Sequence, residues 1–92
     1  MEPLTQALPG ALTALLRDVP LSDGKVGFAW KAAVGPNVDR VTAVKLERGV
    51  LIVEVPDQLW AREIARSTHM ILSRLQTLLG RGVVSDIQTR LR

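Results

Sequence analysis

The chain has no cysteine, no tyrosine, one phenylalanine, two tryptophans and one histidine among its 92 residues. Without cysteine there can be no disulfide, thiol nucleophile or thiolate metal ligand, and a cytoplasmic location is expected. The single histidine, His69, has no second histidine or cysteine with which to complete a metal site, and no serine and carboxylate are placed around it for nucleophilic catalysis. Paired carboxylates are lacking too. Glu54 and Asp57 stand three residues apart across a strand-to-helix junction, where Asp57 reads as a helix cap. No apolar run approaches the ~18 residues that span a bilayer. Met1-Glu2-Pro3-Leu4 carries an acid where an export signal carries positive charge, so neither export nor membrane contact is expected. These absences point to a noncatalytic protein that uses no cofactor and no metal.

What is present reads as one small globular domain. Apolar residues make up 47% and charged residues 23% of the sequence, a balance that supports a core. A chain of this length buries only about 60 to 65% of its unfolded surface, which leaves no room for a second domain. The expectation is a single domain over residues 1–92, with residues 1–10 as a flexible lead. Twelve Lys and Arg against nine Asp and Glu give a net charge of +3. All the cations except Arg17 and Arg92 are scattered between Lys25 and Arg90, so a surface for a polyanion has to be assembled by folding.

Periodicity gives the elements. Leu4, Leu8, Leu12, Leu15 and Leu16 fall at helical spacing, but Pro9-Gly10 interrupts them and confines the expected helix to about 11–18. Ser22 or Asp23 can cap a second helix that runs to Val34 and stops at Gly35-Pro36. From Val41 the pattern alternates, with Val44 and Leu46 on one side and Lys45 and Glu47 on the other. Arg48-Gly49 turns the chain into the β-branched run Val50–Val55, giving a hairpin with Leu51, Val53 and Val55 toward the core. Pro56 ends the strand, Asp57 caps the next element, and the period changes to 3.6. Trp60, Ile64, Ile71, Leu75 and Leu78 then share a narrow arc of a helix over about 58–79, widened by Leu72 and Leu79. Gly80 ends it, and a last strand alternates within 83–91, its Ile87, Thr89 and Leu91 on one face. The helix is long enough to let this strand cross over and pair parallel with the hairpin. The fold class is α+β in the order α-α-β-β-α-β, a small three-stranded mixed sheet covered by a long helix.

Three surfaces could carry binding. Gly24-Lys25-Val26-Gly27 forms a G-x-x-G loop at a helix start, the arrangement with which KH domains admit single-stranded nucleic acid; a loop between helices also calls for glycine for its own sake. Phe28 lies between Lys25 and Lys31, where a ring can stack on a base while ammonium groups hold phosphates, or can pack on the first helix. Arg62, Arg66, His69 and Ser73 lie opposite the core stripe of the long helix with Arg74 to one side, either as a solvated face or as a phosphate track. The candidate nucleic-acid-binding residues are Lys25, Phe28, Lys31, Arg62, Arg66 and Arg74. Trp30 and Trp60 read as core anchors.

Across about residues 11–91 the chain resembles the DciA family of bacterial replicative-helicase loaders and operators. The residues that carry the resemblance are Trp30, Val34-Gly35, Leu51 and Val53, Trp60-Ala61 with Glu63-Ile64, Leu72, Leu75, Leu79-Gly80, Val84 and Asp86-Ile87. It implies a KH-like domain, contact with single-stranded or forked DNA, and association with the replicative helicase during initiation of chromosome replication. A generic RNA-binding KH-like module and a protein–protein adaptor that ignores nucleic acid stay open as other readings. Oligomeric state cannot be read from the sequence.

Overall fold

The computed structural model describes Gly10, Leu16 and residues 18–92. The expected helix over 11–18 and the lead over 1–10 therefore lie outside the described residues, apart from Gly10, Leu16 and Asp18, all three helical, with Leu16 in the core. Among the described residues the elements are α1 (Asp23–Val34), α2 (Pro36–Val41), β1 (Ala43–Glu47), β2 (Val50–Val55), α3 (Gln58–Leu79) and β3 (Asp86–Leu91). The architecture is α+β in the expected order, with α3 lying over a three-stranded mixed sheet.

α1 starts where Ser22 Oγ accepts the Lys25 amide N–H at 3.1 Å, satisfying one of the free donors of the first turn. Its glycines bring a correction: Gly24 and Gly27 both lie inside α1, so the G-x-x-G run is helix, not loop. At the other end the structure adds an element to the sequence reading. Gly35, at φ +89°, reverses the chain, and Pro36 then opens the short helix α2 at the position where a missing N–H costs nothing. Six residues are too few to show a helical period, which is why this segment read only as a stop. Trp30, 1% exposed, ties these parts together. Its Nε1–H donates to Thr42 Oγ1 at 2.9 Å, and that hydroxyl donates to the Val38 carbonyl at 2.8 Å. One indole thus links α1 to α2 and to the residue that precedes β1.

The hairpin turns at Arg48 and Gly49, both at positive φ (50° and 82°), the combination whose twist matches that of paired strands. β1 pairs antiparallel with β2 from Ala43↔Glu54 to Glu47↔Val50. Asp57 caps α3 as expected, its carboxylate accepting the Trp60 amide N–H at 3.0 Å. α3 buries Ile64, Ile71, Leu75, Leu78 and Leu79, while Trp60 is only half-buried and packs against the core from its margin. Gly80, at φ +96°, takes the chain out of the helix. β3 then pairs parallel with β2 from Val50↔Asp86 to Val55↔Leu91, which puts β2 in the centre of the sheet. Leu51, Val53 and Val55 point into the core, each fully buried, beside Trp30, Ile64, Ile71, Leu75, Leu78 and Val84.

Candidate nucleic-acid interface

α3 is the element that can present charge. Its core stripe fixes its rotation on the sheet, so the residues opposite that stripe have to face water. Arg62, Arg66, His69 and Ser73 are all exposed and follow one another along that face. Arg62 and Arg66 are one turn apart, roughly 6 Å along the axis. The Arg66 guanidinium stands 3.8 Å from the Glu63 carboxylate, with the arginine side chain 80% exposed. An ion pair this open contributes at most about 1 kcal/mol, so a phosphate can displace it easily. Arg62 makes no ion pair among the described residues.

The other candidates divide differently. Phe28 is 51% exposed and so does not pack fully into the domain; Lys31, three residues on, is exposed beside it. Lys25 is 8% exposed and its ammonium donates to the Val19 carbonyl, which holds down the segment before α1. Arg74 is half-buried, and its Nη1 donates to the Ala33 carbonyl at 2.8 Å, near the C-terminal end of α1. A cation there also meets the negative end of the helix dipole. The six residues thus form one exposed pair on α1, one exposed pair on α3, and two cations bound to backbone carbonyls inside the fold.

Arg81, which is not among the six candidates, belongs with the α3 face. It is exposed just beyond Gly80 and lines a hollow of 240 Å³ with Ser73, Gln76 and Thr77. The signal was its position four residues after Thr77, which continues the polar line of the helix past its end.

The face of the sheet opposite the core offers nothing similar. It carries Lys45 and Arg90 against Glu47, Glu54 and Asp86, and Lys45 is bridged to Glu47 at 3.1 Å. Its shallow hollow of 570 Å³, lined by Glu47, Arg48, Val50, Ile52 and Gln88, is no more cationic. Ile52, at the centre of this face between Lys45 and Gln88, is only 8% exposed. Three carboxylates, Glu47, Glu54 and Asp86, are interspersed with the cations here, whereas the α3 face presents Arg62 and Arg66 with one carboxylate, Glu63, beside them. Among the described residues no group of three His, Cys, Asp or Glu is placed to hold a metal ion, and no helix is long and apolar enough to cross a membrane.

The fold and this helix face define a small α+β module with a cationic stripe on its covering helix and its polar sheet face turned outward. The chain belongs to the DciA family: a family model described as Dna[CI] antecedent, DciA, matches residues 3–89. Membership supports a role in helicase loading in replication, the role the resemblance implies. No curated protein matches the chain.

Proposed function

We propose that this protein is a noncatalytic accessory of the replicative helicase that binds single-stranded or forked DNA and promotes loading of the helicase onto it. The observation that carries the DNA part is the exposed Arg62–Arg66 pair, on a helix face held outward by the buried stripe Ile64, Ile71, Leu75 and Leu78. Arginines at this spacing neutralise phosphates and release their counterions, a source of affinity that needs no base recognition. Arg81 lengthens the track at its far end. Family membership supports the helicase as partner.

Binding to fluorescent single-stranded and forked DNA, followed by anisotropy across a salt series, tests the first part. Affinity should fall steeply with salt, and replacing Arg62 and Arg66 together by Ala should flatten that dependence. A pull-down with purified replicative helicase, with and without DNA, tests the second. A domain that neither retards DNA at low salt nor retains helicase would sink this reading.

The exposed Phe28 beside Lys31 favours a second reading, an RNA-binding module in which the ring stacks on an unpaired base. It predicts preference for unpaired RNA and a larger loss from Phe28→Ala than from Arg66→Ala.

A further inference from the structure

β3 is an edge strand whose outer side is bare among the described residues. The Asp86 and Arg92 amides donate inward, to the carbonyls of Gly49 at 3.4 Å and Val55 at 3.1 Å. Alternation along a strand therefore turns the N–H and C=O groups of Ile87, Thr89 and Leu91 away from β2. The Ile87 N–H is met locally by the Asp86 carboxylate at 2.8 Å. Thr89 and Leu91 have no such partner among the described residues. Protein edges are commonly blunted by proline, lysine or a bulge. β3 has none of these: its pairing to β2 is continuous from Asp86 to Leu91, and Gln88 through Leu91 are all exposed, Leu91 at 53%.

The strand is also complementary to its own reverse. Laid antiparallel about Thr89, it sets Asp86 opposite Arg92, Ile87 opposite Leu91 and Gln88 opposite Arg90, each relation occurring twice. Shifting the centre to Arg90 places two guanidinium groups together, and shifting it to Gln88 sets the apolar Leu91 against Ser85. The outward N–H and C=O groups at Ile87, Thr89 and Leu91 fall on the hydrogen-bonded positions of the Thr89-centred ladder.

We propose that β3 pairs with β3 of a second copy of this chain, antiparallel and centred on Thr89, joining two three-stranded sheets into one of six strands. Asp86 then releases the Ile87 N–H to the ladder and turns its carboxylate to Arg92 of the second copy. Two residues exchange two bonds at each hydrogen-bonded pair, so about six backbone hydrogen bonds form. The strands alone bury less than a permanent interface requires, so the dimer forms reversibly, where copies are concentrated. This inference is independent of which nucleic acid the α3 face binds.

Because the chain has no cysteine, Thr89→Cys introduces the only thiol. Facing Cα atoms of a hydrogen-bonded pair are about 5.5 Å apart, within disulfide reach. Oxidation should give a covalent dimer with Thr89→Cys and much less with Gln88→Cys; equal yields from the two would overturn the register. Asp86→Arg and Arg92→Asp should each raise the dimer dissociation constant roughly tenfold or more in sedimentation, since each sets like charges opposite twice. An equimolar mixture of the two should associate like the parent, because both charge pairs are restored in the mixed dimer. Rescue of Asp86→Arg by Arg90→Asp instead of Arg92→Asp, or a parent chain that stays monomeric at millimolar concentration, would overturn the proposal.

Discussion

α1 and α3 pack on the same sheet and both carry cations, yet they dispose of them in opposite ways. α1 turns Lys25 inward to the Val19 carbonyl and leaves only Lys31 in water near Phe28. α3 turns Arg62 and Arg66 outward and commits only Arg74, which it hands to the carbonyl of Ala33. Sequence position near an aromatic or on a polar arc does not decide whether a charge is available. What decides is whether a carbonyl without a helical partner lies within the reach of the side chain. The first turn of α1 sits beside a loop that supplies one, and the middle of α3 faces solvent that does not.

The widest test of this contrast removes the element that fixes α1. Trp30→Ala should destabilise the domain by about 3 to 5 kcal/mol, as expected for a fully buried aromatic, and leave Thr42 without its donor. Urea unfolding measures it; a loss under ~1 kcal/mol would mean that the indole does not bind α1 to α2 and β1. Next, Lys25→Met should cost about 1.5 to 3 kcal/mol, the range for hydrogen bonds to charged groups, and leave the salt dependence of DNA binding unchanged. A flattened salt slope in this variant would return Lys25 to the interface and erase the contrast. Arg62→Ala with Arg66→Ala should do the reverse: stability should move by no more than ~0.5 kcal/mol, while the slope of log K against log salt on single strands falls by about 1.4. Asp57→Ala bears least on the contrast: it should cost about 1 kcal/mol for a lost cap, with no change in DNA binding.

Most of the fold was legible because it follows from period and punctuation. Leu51, Val53 and Val55 alternate, the α3 stripe repeats at 3.6, and Ser22, Asp57 and Gly80 mark boundaries with groups that satisfy or release backbone positions. α2 was not legible, since six residues carry no period and Gly35-Pro36 signals a break without saying that a helix resumes. The glycines at 24 and 27 misled for a related reason: a spacing borrowed from a loop motif has no power over a segment that Ser22 caps as helix. The outward direction of Arg62 and Arg66 could be read from the α3 stripe alone. The direction of Lys25 and Arg74 could not, because each is decided by a carbonyl distant in sequence or off its own helix, Val19 for one and Ala33 for the other.

The Gly49 carbonyl accepts from the Ser85 amide at 2.7 Å, from Ser85 Oγ at 3.1 Å and from the Asp86 amide at 3.4 Å. A Cβ on Gly49 would stand 3.2 Å from Ser85 Oγ, a tight contact, and at φ +82° it would also be strained, so glycine suits the tip of the hairpin where the last strand arrives. In kinetic terms the hairpin is local and can close in microseconds, whereas β3 has to return across the whole of α3 before its first bond forms. The turn is therefore a landing point that exists before its cargo. β3 is expected to join the sheet last, and its amides should be the first of the three strands to exchange with deuterium from the native state.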